Sequence, residues 1–223
     1  MKLIWKYISH FWYVATNWNI WMAFFMVYDN IRGSLKYGTN TFVPVELTNL
    51  TITNGDRRKA SRYEAVSFYM LEKVLAAFQK VSDPGSIIDL GSGKGRVLMV
   101  APHFGFTDIT GIDFAKELCE QAISNMKEKE KQFPRIKWNV INENVEDYEI
   151  QSEDCVFFMF NPFTEVVFKR FLDKLDRSCH EFPRSIYFLY ASPQYQQLLL
   201  DDGYAIIYQK QMMHLETIIA VRD

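Results

Sequence analysis

From Ser86 to the C-terminus, short apolar runs alternate with amphipathic ones, and the last two apolar runs follow each other with nothing helical between them. That order constrains the fold more than any other feature. Ser86 to Leu90, Ile109 to Asp113, Ile136 to Ile141, Cys155 to Phe160 and Ser185 to Tyr190 are predicted strands. Cys155 to Phe160 is apolar throughout, as a strand buried on both faces should be. Helices are predicted over Arg96 to Phe104 (ending near Pro102), Lys116 to Lys129, Thr164 to Leu175 and Gln194 to Leu200. Repeated strand–helix units require right-handed crossovers, hence an α/β fold with a doubly wound, mostly parallel sheet. Ala205 to Tyr208 and Glu216 to Val221, joined by a turn around Gln209 to Met213, predict an antiparallel C-terminal hairpin on that sheet, seven strands in all.

Upstream, Val66, Met70, Val74, Leu75 and Phe78 recur at helical spacing within Tyr63 to Lys80, and Ser82-Asp83-Pro84-Gly85 ends that helix. Arg32 to Arg62 contains Gly33, Gly38, Pro44, Asn54 and Gly55 and reads as irregular linker. Ahead of it, Tyr7 to Tyr28 holds no Asp, Glu, Lys or Arg, yet Ser9, His10, Thr16, Asn17 and Asn19 interrupt it. With Lys2, Lys6 and Tyr13, most of these make one polar stripe at helical spacing, which a bilayer-spanning helix has no reason to keep. No small-residue cleavage site follows, so a signal peptide is not expected. Three readings stay open for this N-terminal helical extension. It packs on its own domain or a twin subunit, it seats Trp5, Trp12, Trp18 and Trp21 at a membrane surface, or it spans a membrane. The expected division is 1–62, helix plus linker, and 63–223, the α/β domain.

A chain of 223 residues suffices for one such domain plus the extension. Its net charge of −2 supplies no overall field for a polyanion, so a nucleic-acid partner is disfavoured, and the short basic run Arg57-Arg58-Lys59 reads as a solvated loop. Cys119, Cys155 and Cys179 lie far apart without metal-ligand spacing. They predict neither a disulfide framework nor a metal site, and a reducing, cytoplasmic setting.

Asp89-Leu90-Gly91-Ser92-Gly93-Lys94-Gly95 sits between a buried strand and a helix start. Glycines there allow a sharp turn and close approach of backbone to a ligand, beyond the carboxyl ends of the strands where open α/β sheets bind. A carboxylate at Asp89 suits a cationic group such as a methionyl ammonium and would repel a pyrophosphate. Asp113, at the end of the second strand, can accept hydrogen bonds from two ribose hydroxyls. The spacing is not that of a P-loop, because Lys94 precedes the last glycine.

With these residues, Ser86 to Asp223 resembles the class I, seven-β-strand, Rossmann-like methyltransferases. The resemblance implies S-adenosyl-L-methionine as cofactor, with Gly91, Gly93 and Gly95 lining its methionine part, Asp89 organising the ammonium group and Asp113 gripping the ribose. Where the family usually has an adenine-contacting Asp, this sequence has Asn144, whose amide oxygen can accept the same bond.

Phe160-Asn161-Pro162-Phe163 follows the fourth strand and is similar to the Asn/Asp-Pro-Pro-Tyr/Phe loop of amino methyltransferases, less one proline. The Asn161 oxygen and the proline-constrained backbone at Pro162 could aim an amine, while the Phe163 ring faces the developing cation. The plain alternative is that Asn161-Pro162 only starts the next helix. The shortened loop looks like a bacterial group distantly similar to seven-strand lysine methyltransferases. That group shares an upstream block like Tyr37-Gly38-Thr39-Asn40-Thr41 and Arg62-Tyr63-Glu64-Ala65, which would place Tyr63 over the cofactor or, equally, in the core. Methyl transfer to nitrogen of a protein side chain or small amine is the leading expectation. The alternatives are adenine in nucleic acid as acceptor, or a non-catalytic cofactor-binding or membrane-associated scaffold.

Overall fold

A computed structural model describes residues 2–39, 41 and 64–223. Tyr63, Asn40, Arg62 and the cluster Arg57-Arg58-Lys59 lie outside the described residues. The elements in chain order are α1 (Lys2–Asn17), α2 (Ile20–Tyr37), α3 (Phe68–Phe78), β1 (Ser86–Leu90), α4 (Arg96–Val100), β2 (Asp108–Asp113), α5 (Lys116–Lys129), β3 (Lys137–Asn142), β4 (Val156–Met159), α6 (Glu165–Glu181), β5 (Ile186–Ala191), α7 (Gln196–Asp201), β6 (Ala205–Met212) and β7 (Leu215–Arg222). A single 3₁₀ turn, Ala101–Phe104, continues α4 where Pro102 breaks the α-helical ladder.

Seven strands form one sheet in the order β3-β2-β1-β4-β5-β7-β6. All neighbours are parallel except β5·β7 and β6·β7. The chain direction across the sheet reverses between β1 and β4, which is where an open α/β sheet leaves a crevice at its carboxyl edge. The predicted α/β architecture and the C-terminal hairpin are therefore present. That hairpin is tighter than expected: β6 runs on to Met212, and Met213, at φ +56°, turns the chain with His214. Two layers of apolar side chains cover the sheet. One joins Phe68, Leu71, Leu75 and Phe78 of α3 with Val97 to Ala101. The other joins Phe168, Phe171 and Leu175 of α6 with Phe157, Phe188 and Tyr204.

The N-terminal region departs from the expected single helix and linker. Asn19 breaks the apolar run into two helices, because its side chain accepts a hydrogen bond from Met22 N (2.8 Å) and caps α2 in extended backbone. The first residues of the expected linker, from Arg32, instead complete α2, which ends where Gly38 adopts φ +58°. Of the polar residues of α1, Thr16 Oγ1 and Asn17 Nδ2 donate back to carbonyls of their own helix.

The hairpin of α1 and α2 packs on the α/β body. Val14, Met22 and Ala23 are buried together against Leu215 of β7. A Cβ on Gly33 would collide with the Phe68 ring, which gives the closeness of α2 and α3 at that point. Asp29, fully buried in α2, accepts from Ser67 Oγ (2.8 Å), Tyr69 N (3.1 Å) and Arg32 Nη2 (2.8 Å). A carboxylate there satisfies an orphan amide at the start of α3 and lies at the positive end of its dipole. No helix among the described residues is long and apolar enough to cross a membrane.

Candidate cofactor and acceptor site

The site begins with β1. Ile87, Ile88 and Leu90 bury this strand, so Asp89 is carried into the interior with them and is 3% exposed. Asp89 is in register with Gly111 on β2, two residues before Asp113, so both carboxylates project from one face of the sheet. The glycine loop then crosses the strand ends. Gly91, Gly93 and Gly95 all have positive φ, at 77°, 53° and 76°. Gly91 N and Ser92 N donate to Ile112 O (both 2.9 Å), and Gly93 N donates to Asp113 Oδ2 (2.8 Å). Ala115 N donates to Asp113 Oδ1 (2.9 Å). Each carboxylate oxygen of Asp113 thus holds one amide and keeps a lone pair for a further donor.

Burial pushes the Asp113 carboxyl up to about 6 in spite of its two amide donors. Burial pushes Asp89 well above the carboxylate range, and the charge on Asp113 adds to the shift. Among the described residues no hydrogen bond reaches Asp89, and the buried Ser92 Oγ has no partner. Nearby Arg96 does not neutralise the pair. Its guanidinium is directed at Thr41 Oγ1 (2.8 Å), Val66 O (2.5 Å) and Asn30 Oδ1 (2.9 Å) and lies over the Phe68 ring. Two buried acids and an orphan hydroxyl around a turn with three glycines form a cradle for a cationic, hydroxyl-bearing ligand. A sulfonium amino acid joined to a ribose fits that chemistry.

Asn144 lies past β3, beyond the Asp113↔Asn142 pair of β2 and β3. Its amide oxygen accepts from Glu146 N (3.2 Å), so it starts a turn as well as standing at the strand's carboxyl end.

The second loop meets the first. The Cβ that Gly91 lacks would fall 2.2 Å from Pro162 Cβ. Asn161 stands at φ +44° and Ser192, after β5, at φ +50°. Asn161 Nδ2 donates to Ser192 O (2.5 Å), and Tyr190 OH donates to Asn161 Oδ1 (2.6 Å). Asn161 therefore does more than start a helix, since its side chain ties β4 to β5. Phe163 does not face the cleft. Its ring is buried in the core, 6.0 Å from that of Phe168. Of the loop's two phenylalanines, Phe160 is the one that lines the cleft.

Beside Asn161 opens a cleft of about 410 Å³ between the α1–α2 hairpin and the ends of β4 and β5. Val14, Met22, Met26, Phe160 and Leu215 supply its apolar wall. Tyr13, Trp18, Glu64, Asn161, Ser192, Gln194 and His214 supply polar groups. The sequence did not point to the hairpin, to Tyr190 or to Ser192 as part of the site. A tyrosine closing an otherwise apolar strand beside the Asn161 loop was the available signal. Among the described residues no cluster of His, Cys, Asp and Glu could hold a metal ion.

Comparisons with known proteins bear on the fold and the reaction class. Residues 87–181 match a protein family described as a methyltransferase domain. An 88-residue stretch is 30% identical to the EEF1A lysine methyltransferase 2 of Danio rerio, covering 40% of this chain and 30% of that protein. This chain therefore spans under a third of that relative's length. Among solved structures, a glycopeptide N-methyltransferase superposes with a TM-score of 0.54 at 10% identity, over 68% of this chain and 94% of that one. An RNA methyltransferase from Salinibacter ruber, in complex with S-adenosyl-L-homocysteine, gives 0.50 at 17% identity, over 70% and 91%. At such identities the likeness establishes the fold, and the fold is that of class I methyltransferases.

Proposed function

We propose that this chain, whose residues 87–181 match a methyltransferase-domain family, transfers a methyl group from S-adenosylmethionine to nitrogen of a protein side chain, lysine foremost, or of a small amine. One observation carries the reading: the loop after β4 lines the cleft with Phe160 and Asn161 and packs its next residue, Pro162, on Gly91 of the glycine turn. The cofactor supplies an electrophilic methyl group on a sulfonium centre. Asp89 would face its ammonium, Asp113 would take its ribose hydroxyls, and Asn144 would meet the adenine amino group.

The acceptor side follows from the wall of the cleft. Met22, Met26, Val14 and Leu215 cover an alkyl stem, and they strip water from an amine at its tip. Desolvation favours the neutral amine, the form that carries a nucleophilic lone pair. Asn161 Oδ1, already holding the Tyr190 hydroxyl, keeps one lone pair for an amine hydrogen, and its tie to Ser192 O fixes the direction of that lone pair. Phe160 offers a ring face to the charge that develops on nitrogen. The lysine-specific name of the zebrafish relative supports the same acceptor.

The test is transfer of labelled methyl from S-adenosylmethionine to fractionated lysate, followed by mass spectrometry of the labelled species. Methylated lysine or a methylated small amine is expected. Label confined to nucleic acid would support the adenine reading instead. Failure to bind S-adenosylmethionine in a calorimeter would end both.

A further inference from the structure

We propose that two copies of this chain pair antiparallel through the outer face of α2. Met22, Ala23, Asp29, Asn30, Gly33 and Tyr37 turn one face of this helix into the protein. The opposite face carries Trp21, Phe24, Tyr28, Ile31 and Leu35, each between 51% and 81% exposed. These five recur at spacings of three and four, the seam that helices bury against one another. A helix apolar on both faces needs a cover on each; among the described residues its own chain covers the inner face, and on the outer face Phe11 of α1 meets the edge of the stripe at the Phe24 ring, 5.1 Å between centroids.

The area is that of a dimer. Each ring offers on the order of 100–150 Å² at these exposures, and with Ile31, Leu35 and Ile20 the stripe approaches the roughly 800 Å² per partner of a stable interface. A contiguous apolar patch of this size marks a docking surface.

The order of side chains selects a second copy over a lipid surface. The stripe is nearly symmetric in spacing about Tyr28, with bulky rings on one side and branched aliphatics on the other. Reversed on itself across a two-fold axis, it sets Trp21 against Leu35, Phe24 against Ile31, and Tyr28 against its own counterpart. A parallel pair would set each side chain against its own copy, ring on ring along half of the stripe. Isologous two-fold contact of this kind closes the assembly at two chains. Nor are the two described cations of α2, Arg32 and Lys36, free for anionic headgroups: Arg32 is held by Asp29 and Glu72, and Lys36 by Glu72.

Sedimentation equilibrium of the full chain over roughly 1–100 μM should give the mass of two chains. Trp21→Glu with Leu35→Glu should raise the dissociation constant by about a hundredfold or more, with affinity for S-adenosylmethionine unchanged. Under mild oxidation, Tyr28→Cys should cross-link across the axis and Leu35→Cys should not, with the wild type as control for the native cysteines. If the double variant loses its helical circular dichroism, the cysteine pair still decides. A single-chain mass throughout overturns the proposal, as does equal cross-linking of both cysteine variants. So does binding to phosphatidylcholine/phosphatidylglycerol vesicles that the double variant abolishes without a change in mass.

Discussion

Gly91 and Pro162 touch where no side chain could intervene: a Cβ on Gly91 would lie 2.2 Å from Pro162 Cβ. The turn after β1 and the turn after β4 are thereby tied together, and the glycine loop packs on the loop whose Asn161 lines the cleft. Gly91→Ala must both move Pro162 and place a side chain at φ +77°. The expected loss is about 2–3 kcal/mol of stability, with cofactor affinity reduced as well. Gly85→Ala, with open space around its Cβ, should stay within about 0.5 kcal/mol of wild type. Denaturant unfolding and calorimetry of the two variants measure the contrast.

The buried acids give the cofactor-free protein a defined response to pH. A carboxyl raised from 3.8 in the unfolded chain to about 6 in the folded one, as for Asp113, binds more protons when folded. Its contribution to stability is therefore favourable at low pH and is lost as pH rises from about 4 to 6, by about 3 kcal/mol in all. Asp89 is shifted in the same direction. A cationic ligand reverses the effect, since it favours both ionised forms. S-adenosylmethionine should bind more tightly at pH 7 than at pH 5 and release protons as it binds. Calorimetry in two buffers of different ionisation enthalpy reads that release, and affinity flat between pH 5 and 8 would exclude the assignment.

Asp89→Asn separates charge from shape. Asp89 forfeits no hydrogen bond on replacement among the described residues, whereas Asp113 would lose an acceptor for Gly93 N or Ala115 N. The Asp89→Asn variant should melt at a higher temperature than wild type at pH 8 without cofactor, and the gap should narrow at pH 5. Its affinity for S-adenosylmethionine should fall about tenfold or more. A lower melting temperature at pH 8 would mean that Asp89 is stabilising where it stands.

The sheet was legible because its strands obey local rules. Cys155 to Phe160 announced a central strand by composition, and Gly91, Gly93 and Gly95 announced a turn by spacing. Asp89 and Asp113 could be paired from sequence because parallel register fixes which residues share a face. What escaped depends on distant contacts. Asn19 splits an apolar run that periodicity alone treats as continuous. Phe163 was read as a cleft residue, yet its ring is taken into the core by Phe168, a partner invisible in the loop's own sequence. Ser192 entered the site only through a hydrogen bond spanning two strand ends.

Asn161 and Tyr190 yield the last expectation, for the transfer step itself. Asn161 has left-handed backbone, so Asn161→Ala would mix the loss of its amide with strain of about 1 kcal/mol. Asn161→Gly keeps the backbone and removes only the side chain. It should leave cofactor affinity within about twofold of wild type and reduce labelled-methyl transfer to the acceptor fraction by about tenfold to a hundredfold. Tyr190→Phe removes the donor to Asn161 Oδ1 but leaves the tie from Asn161 Nδ2 to Ser192 O. Its cost should be smaller, a factor of about 2–10, because the amide is still held at one end. The order matters more than either value. If Tyr190→Phe lowers transfer more than Asn161→Gly does, the hydroxyl contacts the acceptor directly, and Asn161 serves only to join the two strands.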